Sequence, residues 1–273
     1  MLRRRCGVIG DPAGHSLSPA IHRAGYEANS LQWAYEAYSV PPAELADFVQ
    51  ARIQDPVWAG LSVTAPHKEA ILAFGEADEP TRLLGAGNTI VFGGEGARVF
   101  NTDVPGFVRA WRAHGLDAPA TAAILGNGAT ARSILLALAG LGVREVRFLS
   151  RRPERAAGVL ELAATLGVHA EAHSLDEAPV TVDLLANTIP AAATRPHALA
   201  LSGAARVVFD AVYDPWPTPL GEAAASAGRV ALNGLDLLAG QAVDQFFLLT
   251  GARVSFEACR SAAEQELRRR AGL

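Results

Sequence analysis

The chain has 273 residues, of which 50% are hydrophobic and 19% charged, a composition that excludes an intrinsically disordered protein. Its formal net charge of −4 argues against nucleic acid as the main partner. The length predicts about two domains, each of roughly 150 residues. The two cysteines, Cys6 and Cys259, lack metal-ligand and disulfide spacing, and the basic start lacks an apolar signal core. Because no apolar segment is long enough to cross a bilayer, we expect a cytoplasmic protein with neither a metal nor a membrane partner.

Strands alternate with helices in the first hundred residues. Residues 8–9 predict a strand, and Ser18-Pro19 opens a helix to about residue 29, with Ser18 as its cap. The elements predicted next are a strand at 32–40, a helix at 41–54, a strand at 58–64, a helix opened by Pro66, and a hairpin of 88–92 and 98–100 around residues 93–96. This alternation predicts a mostly parallel sheet with helices on both faces.

A second alternating series begins near Asp103, where a helix at 104–114 is suited to link two domains. The elements predicted after it are strands at 121–125, 145–149, 182–186 and 207–212, and helices at 129–141, 153–166 and 220–227. From Leu235 the chain is predicted to be helical nearly to its end, with a break around residues 251–255. The basic run at 268–270 is expected to be a solvated helix end.

The segment AAILGNGATAR, residues 122–132, has the order strand, glycine turn and helix start. Gly126, Gly128 and Ala131 fit the pattern GxGxxG/A of dinucleotide-binding proteins. The first position allows a tight turn, the second lets a pyrophosphate approach the backbone, and the third lets the helix pack near the strand. The free N–H groups at the helix start then face the phosphates.

Arginines follow the next strand, in the segment Ser150-Arg151-Arg152-Pro153-Glu154-Arg155. An NAD-binding fold usually places an acidic residue here for the ribose 2′-hydroxyl, whereas arginines suit a 2′-phosphate. We therefore expect NADP, with Arg151 and Arg155 as its contacts and Arg152 as a solvated surface charge. The alternative is that all three are ordinary surface arginines.

Four polar clusters follow strands or open helices before residue 105: residues 15–19, 62–68, 87–89 and 101–103. The hydroxyls of Ser16 and Ser18 suit a carboxylate bound at a helix start, although capping alone would explain Ser18. The carboxyl ends of strands in open α/β sheets are where ligands bind. Together the clusters supply the donors and acceptors that a small polyhydroxylated acid needs, although each alone is compatible with a structural role.

With the glycine turn, these clusters resemble the shikimate dehydrogenase family over nearly the whole chain. The motifs that carry the resemblance are, in order, GDPAGHSLSP, SVTAPHK, GAGNT, NTDVPG, GNGATAR, VYDPWPTPL and LNGLDLLAGQAVDQF. The resemblance implies reversible NADP-linked reduction of 3-dehydroshikimate to shikimate, a step of aromatic amino-acid biosynthesis. It also implies an α/β substrate domain, residues 1–103 with 236–273, and a Rossmann-like NADP-binding domain, residues 104–235. The C-terminal helices would return to the first domain, and a cleft would separate the two.

The resemblance also implies roles by position, with Lys68 and Asp103 as the catalytic pair. The substrate-binding residues would be Ser16, Ser18, Thr64, Asn88, Tyr213 and Gln241. The cofactor-binding residues would be Gly126, Asn127, Gly128, Ala129, Thr130, Ala131, Ser150, Arg151, Arg155, Asn187 and Gly234. The chain departs from the family pattern at Ser62, Asn127, Thr130, Ser150, Arg152, Asp236 and Leu237.

The alternative functions are a quinate or dual quinate/shikimate dehydrogenase, a non-catalytic NADP-binding sensor on the same fold, and a dehydrogenase for another small carbonyl substrate. Lys68 and Asp103 could also be a purely structural ion pair. The expected partners are a small-molecule substrate and NADP, on a chain that is a monomer or homodimer and binds no nucleic acid.

Overall fold

A computed structural model describes residues 4–94, 96–177 and 181–272. The chain divides into two compact units, residues 1–109 with 238–273 and residues 110–237. Residues 1–3 of the basic start and Glu95 of the predicted hairpin turn lie outside the described residues. Within the described ranges, none of the helices is both long and apolar enough to cross a membrane.

The first unit is built on a mixed sheet with the strand order β2-β1-β3-β5-β6-β4. Its elements are β1 (Arg5–Gly10), α1 (Ser18–Ala28), β2 (Ala34–Ser39), α2 (Leu45–Ile53), β3 (Trp58–Val63), β4 (Glu76–Ala77), α3 (Glu79–Leu84), β5 (Thr89–Gly93), β6 (Gly96–Phe100) and the start of α4 (Asp103–Ala113). β1 is parallel to both β2 and β3, whereas β5 is antiparallel to β3 and β6. The predicted hairpin is therefore the antiparallel extension of a parallel core.

The second unit is built on a parallel sheet with the strand order β12-β11-β10-β7-β8-β9. Its elements are β7 (Thr121–Leu125), α5 (Ala129–Gly140), β8 (Glu145–Ser150), α6 (Ala157–Thr165), β9 (His169–Ser174), β10 (Val182–Asn187), α7 (Ala191–Thr194), α8 (Ala198–Gly203), β11 (Ala205–Asp210), α9 (Pro219–Ser226) and β12 (Val230–Asn233). The first strand of the unit lies beside its second and its fourth, which is the order of the doubly wound dinucleotide-binding fold.

Apolar strands buried on both faces form the core of each unit. All six residues of β3 are buried, and Leu61, Ile90 and Val99 from three neighbouring strands pack in one cluster. Leu185 and Val208 occupy the corresponding layer of the second unit. Because these strands use their apolar residues for packing, the polar residues that follow them lie at the strand ends.

The two last helices, α10 (Gly234–Thr250) and α11 (Phe256–Arg270), belong largely to the first unit. There α11 packs against α1. The fold class is thus confirmed, including the return of the C-terminal helices to the first unit.

Two local predictions were wrong. Leu17, not Ser18, is the N-cap of α1, and the helix start is supported by Ser16, whose Oγ accepts the Ser18 N–H at 3.2 Å. Pro66 does not open an α-helix: residues 65–69 form turns, followed by a short 3₁₀ helix. There the Lys68 carbonyl accepts the Gly87 N–H at 2.7 Å, a bond to a residue 19 positions further along the chain.

Candidate active site

The predicted catalytic pair lies together in the first unit, Lys68 after β3 and Asp103 at the start of α4. Lys68 Nζ is 2.6 Å from Asp103 Oδ2, and the side chains are 16% and 7% exposed. The second oxygen, Asp103 Oδ1, accepts Asn88 Nδ2 at 2.9 Å, and the Asp103 N–H bonds to Asn101 Oδ1 at 3.1 Å. Both carboxylate oxygens are therefore held, which a poorly exposed ion pair needs in order to be stable.

Lys68 is the only lysine in the sequence, in which the other strongly basic side chains are all arginine. A guanidinium keeps its proton near neutral pH, whereas an amine can give and take one. The one lysine amine of the sequence therefore stands at a position predicted to be catalytic. This signal was available in the sequence and was missed.

Asn88 is the centre of the hydrogen-bond network around the pair. Its Nδ2 donates to Thr102 Oγ1 at 2.9 Å as well as to Asp103, and lies 3.3 Å from Gln241 Oε1. Its Oδ1 accepts the Thr102 N–H at 2.8 Å and the Thr89 hydroxyl at 3.0 Å. The Asn88 side chain thereby joins β5, α4 and α10 at one point.

Two glycines bring α4 and α10 into backbone contact beside this network. A Cβ on Gly106 would lie 2.5 Å from the Gln241 nitrogen, and a Cβ on Gly240 would lie 2.2 Å from the Gly106 carbonyl oxygen. Arg109 bridges the same helices through the Gly240 carbonyl at 2.7 Å and the Asp244 carboxylate at 2.9 and 3.1 Å. This contact keeps Asp103 and Gln241 in register.

The predicted carboxylate site lies at the start of α1, in the same unit. Ser16 and Ser18 are both buried. The hydroxyl of Tyr35 bonds to Ser18 and to Ser62, and burial raises the pKa of Tyr35, so the phenol stays neutral. Ser62, where the chain departs from the family pattern, thus has a partner on β2. Thr64 is half-buried just beyond β3.

Two supporting residues were not predicted. Gln245 donates from Nε2 to the Asn88 carbonyl at 3.1 Å and to Thr89 Oγ1 at 2.8 Å. Its Oε1 lies 3.3 Å from His22 Nε2, and the His22 ring stacks on Tyr35 with the centroids 4.1 Å apart. Because burial lowers the pKa of His22 to about 4, the imidazole is neutral at neutral pH.

Helical spacing is the signal that could have found both residues. His22 is four residues after Ser18 on α1, and Gln245 is four residues after Gln241 on α10. Residues four apart share one helix face. The neighbour of a predicted site residue on the same face was therefore a candidate in each case.

The predicted dinucleotide turn joins β7 to α5 in the second unit. Gly126 has a φ of +99°, a conformation that suits glycine, and Gly128 is the N-cap of α5. A Cβ at Gly128 would meet no atom within 4 Å, so this backbone is open to a phosphate. Ala129 and Thr130 form the first turn of the helix, and Ala131 is fully buried. The arrangement fits a bound pyrophosphate.

An arginine-lined cavity of about 210 Å³ lies beside this turn. Its lining residues are Gly126, Asn127, Ser150, Arg151, Arg152, Arg155, Ile189, Pro190 and Ala193. None of them is acidic, so the cavity fits the 2′-phosphate of NADP. Arg152, expected to be a solvated surface charge, is exposed and also lines the cavity. Asn127 closes one side by donating from Nδ2 to the Arg155 carbonyl at 3.0 Å. The residues at 189–193 were missed, although they follow a predicted strand.

Asn187 and Gly234 each make close contacts with other residues of the second unit. Asn187 is fully buried, and its Nδ2 donates to Asp210 Oδ1 at 2.8 Å and to the Ile189 carbonyl at 3.0 Å. Burial raises the pKa of Asp210. Gly234 begins α10 so close to Tyr213 that a Cβ would lie 2.9 Å from the tyrosine ring. Asn187 therefore orders the loop after β10, and Gly234 allows the approach of Tyr213.

Known proteins match the chain over nearly its full length. The family model of the shikimate dehydrogenase substrate binding domain matches residues 8–90. The shikimate dehydrogenase (NADP(+)) of Oleidesulfovibrio alaskensis is 35% identical over 272 residues, covering 95% of this chain and 94% of the relative. That of Sphingopyxis alaskensis is 38% identical over 253 residues and covers 90% of each chain.

Solved structures agree with the sequence matches. The crystal structure of Mycobacterium tuberculosis shikimate dehydrogenase is 36% identical and superposes with a TM-score of 0.88 over 96% of this chain and 99% of that one. The Thermus thermophilus enzyme, solved in complex with NADP(H) and shikimate, is 30% identical, with a TM-score of 0.83 over 96% and 99% of the two chains.

The chain has a dinucleotide turn in one unit and a lysine paired with an aspartate in the other. These features fit the class of NADP-dependent oxidoreductases acting on a CH–OH group. The relatives narrow this class to one family, since they share more than a third of their residues with nearly the whole chain. The chain belongs to the shikimate dehydrogenase family.

Proposed function

We propose that Lys68 and Asp103 are the catalytic pair with which this chain, an NADP-dependent shikimate dehydrogenase, reversibly reduces 3-dehydroshikimate to shikimate in aromatic amino-acid biosynthesis. The observation that carries the proposal is the 2.6 Å contact between Lys68 Nζ and Asp103 Oδ2 in a largely buried setting. The carboxylate oxygens are bonded to Lys68 and Asn88, so the amine is held by a group that is itself fixed. Such preorganisation is what transition-state stabilisation requires.

Ketone reduction adds a hydride to carbon and a proton to oxygen, and the nicotinamide of NADP, when bound, exchanges the hydride. The Lys68 ammonium has three N–H donors, of which one is directed to Asp103. Another stabilises the negative charge that develops on the substrate oxygen and delivers the proton to it. Asp103 orients the amine and accepts a hydrogen bond from a substrate hydroxyl. In the oxidation direction, Lys68 takes the proton back.

The substrate contacts are the side chains that the family resemblance assigns. The Ser16 and Ser18 hydroxyls bind the carboxylate. The remaining contacts, to ring hydroxyls or to the carboxylate region, come from Thr64, Asn88, Gln241 and Tyr213. Two observations support this assignment. Ser16, Ser18, Asn88 and Gln241 are buried polar side chains of the first unit, and Asn88 bonds both Asp103 and Gln241.

The second unit holds NADP. The turn cradles the pyrophosphate through Gly126, Asn127, Gly128, Ala129, Thr130 and Ala131. Arg151 and Arg155, joined by Arg152 and flanked by Ser150, bind the 2′-phosphate. Asn187 and Gly234 serve the nicotinamide side by shaping the backbone around them. The three guanidinium groups of the cavity support NADP over NAD, since each is a charge-assisted donor to a phosphate.

We further propose that the chain works in the cytoplasm as a monomer or homodimer. Its two cysteines are free, buried thiols, which suits a reducing compartment.

The test is steady-state oxidation of shikimate and of quinate, each with NADP and with NAD, on the purified chain. We expect the highest kcat/KM for shikimate with NADP. A comparable kcat/KM for quinate would make the enzyme a dual quinate/shikimate dehydrogenase. Calorimetric binding of shikimate without turnover would overturn the catalytic function and leave an NADP-binding sensor.

A further inference from the structure

The last residue of α11, Arg270, contacts the loop before α1 in the first unit. Its Nη1 donates to the His15 carbonyl at 2.8 Å, and its Nη2 donates to the Ser16 carbonyl at 3.0 Å. The basic run at 268–270 is therefore not simply a solvated helix end. One planar guanidinium bonds two successive carbonyls, a geometry that an ammonium cannot reproduce.

The two carbonyls flank one residue, Ser16. The His15 carbonyl belongs to the peptide plane before Ser16, and the Ser16 carbonyl belongs to the plane after it. Because each peptide is planar, fixing both carbonyls fixes the backbone dihedral angles of Ser16 and hence the direction of its Cα–Cβ bond. Arg270 thus aims the hydroxyl of Ser16 without touching it.

The Ser16 hydroxyl can donate its hydrogen to a ligand. Ser16 Oγ accepts the Ser18 N–H at 3.2 Å, which uses a lone pair and not the O–H. Ser16 is only 8% exposed, so there is little competition from water. A carboxylate oxygen is the acceptor that such a hydroxyl suits.

Glu266 holds Arg270 from the other side. Arg270 Nε donates to Glu266 Oε1 at 2.8 Å, one helical turn away on α11. Hydrogen bonds from Arg269 and Arg270 lower the pKa of Glu266 to about 2, so the carboxylate is charged at any pH used for assay. Because Nε of Arg270 is bonded to Glu266, its Nη1 and Nη2 are both directed to the loop before α1.

We propose that Arg270 is a positioning residue for the substrate carboxylate, acting from the C-terminal helix through the backbone of Ser16. The inference rests on the proposed function, in which Ser16 binds that carboxylate. It adds a determinant of substrate affinity that lies outside the substrate contacts and 254 residues from the serine in sequence.

Arg269 offers a matched control. It also forms an ion pair with Glu266, with Nε 2.7 Å from Oε2. Its side chain is 73% exposed, and its hydrogen bonds are to Glu266 and not to the loop before α1. The variants Arg270→Ala, Arg270→Lys and Arg269→Ala are compared in the full-length chain by steady-state kinetics and thermal unfolding.

We expect Arg270→Ala to raise KM for shikimate by about tenfold, well within what two charge-assisted hydrogen bonds support. The KM for NADP should not change, and kcat should fall by less than KM rises. Arg270→Lys should be intermediate, because an ammonium can reach one carbonyl but cannot span both. Arg269→Ala should behave as the wild type.

A wild-type KM for shikimate in Arg270→Ala overturns the proposal, and so does an equal rise in both KM values, which would mean general damage. If Arg270→Ala does not fold, Arg270→Lys decides by the same criteria. A wild-type chain that does not oxidise shikimate defeats the proposed function instead, so the two failures are distinguishable.

Discussion

The two candidate sites of this chain are built in opposite ways. In the first unit, Asp103 and Asn88 are buried, the Lys68 side chain is 16% exposed, and Asp103 bonds both Lys68 and Asn88. In the second unit, the site consists of an open backbone turn and of exposed arginines such as Arg151 and Arg155. The first is a network of side chains that bond to one another, whereas the second is a surface of positive charge.

The difference fits the chemistry proposed for each site, proton transfer in the first and phosphate binding in the second. Proton delivery requires atoms held within a few tenths of an ångström of a productive position, which a closed network provides. Binding a nucleotide phosphate requires donors and charge, which exposed guanidinium groups provide with more tolerance. Substitutions in the first site should therefore abolish turnover, and those in the second should weaken affinity in graded, salt-sensitive steps.

The largest effect is expected from Lys68→Ala. Removing the proton donor should lower kcat by about 10²- to 10⁴-fold, the usual contribution of general acid catalysis. The KM for NADP should stay near the wild-type value. Lys68→Arg is the charge-matched control: it keeps a cation at the site but cannot release a proton, so its kcat should be nearly as low. A near-normal kcat in Lys68→Arg would mean that position 68 supplies only charge.

The next effect is expected from Asn88→Ala, which removes the centre of the first network. Truncation leaves Asp103 and Thr102 short of partners, so we expect a loss of stability of about 2 kcal/mol and a fall in kcat/KM for shikimate. Urea unfolding and steady-state kinetics measure the two effects. Asn88→Asp preserves the shape but loses the Nδ2 donor. If Asn88→Asp kept full activity, the hydrogen bond to Asp103 would be dispensable.

A smaller effect is expected from Arg151→Ala in the second site. Losing one phosphate contact should weaken NADP binding by about tenfold, equivalent to about 1.4 kcal/mol. NAD binding should be unaffected, and the dependence of NADP binding on salt should decrease. Arg206, 76% exposed at the start of β11 and paired with Asp183, provides the control Arg206→Ala. Equal losses for NADP and NAD in Arg151→Ala would remove the 2′-phosphate assignment.

At neutral pH the smallest effect comes from His22, which changes the stability only as the pH falls. Burial lowers the pKa of His22 from 6.5 to about 4. Between these pH values the imidazole is therefore protonated in the unfolded chain and neutral in the folded chain. The free energy of unfolding should therefore fall as pH falls from about 6.5 to about 4, by up to about 3 kcal/mol from this group. Above pH 7 the contribution vanishes.

His22→Gln keeps a donor toward Gln245 and removes the titration. Urea unfolding of both proteins at pH 7.5 and pH 4.5 isolates the histidine from the carboxylates, which titrate in each protein alike. An identical loss of stability in both would show that the imidazole does not stay neutral in the folded chain.

Much of this organisation could be predicted from sequence, because it rests on local patterns. Apolar strands followed by glycine turns or polar clusters indicate where ligands bind, and the motifs around Gly126 and Lys68 are contiguous. The edge strand β9, with the sequence HAEAHS, was missed because polar and small side chains give a weak strand signal. Ser18 was assigned as a cap because the pattern does not say which serine oxygen faces the helix start.

The contacts that sequence could not supply are the distant ones. Arg270 reaches the Ser16 carbonyl only because α11 packs on α1, and Gln245 reaches Asn88 only because α10 returns to the first unit. Such pairs depend on tertiary packing, about which spacing along the chain says nothing. The proposed catalytic pair was predicted through family resemblance, and its geometry emerged only from the fold.

Because the sequence has a single lysine, amine-selective labelling can be directed to one side chain. Amine-selective reagents have one side-chain target, so reductive methylation with ¹³C-formaldehyde should give one ε-dimethylamine resonance besides that of the chain terminus. The chemical shift of that resonance would follow the protonation of Lys68 directly, in the folded protein and without mutagenesis.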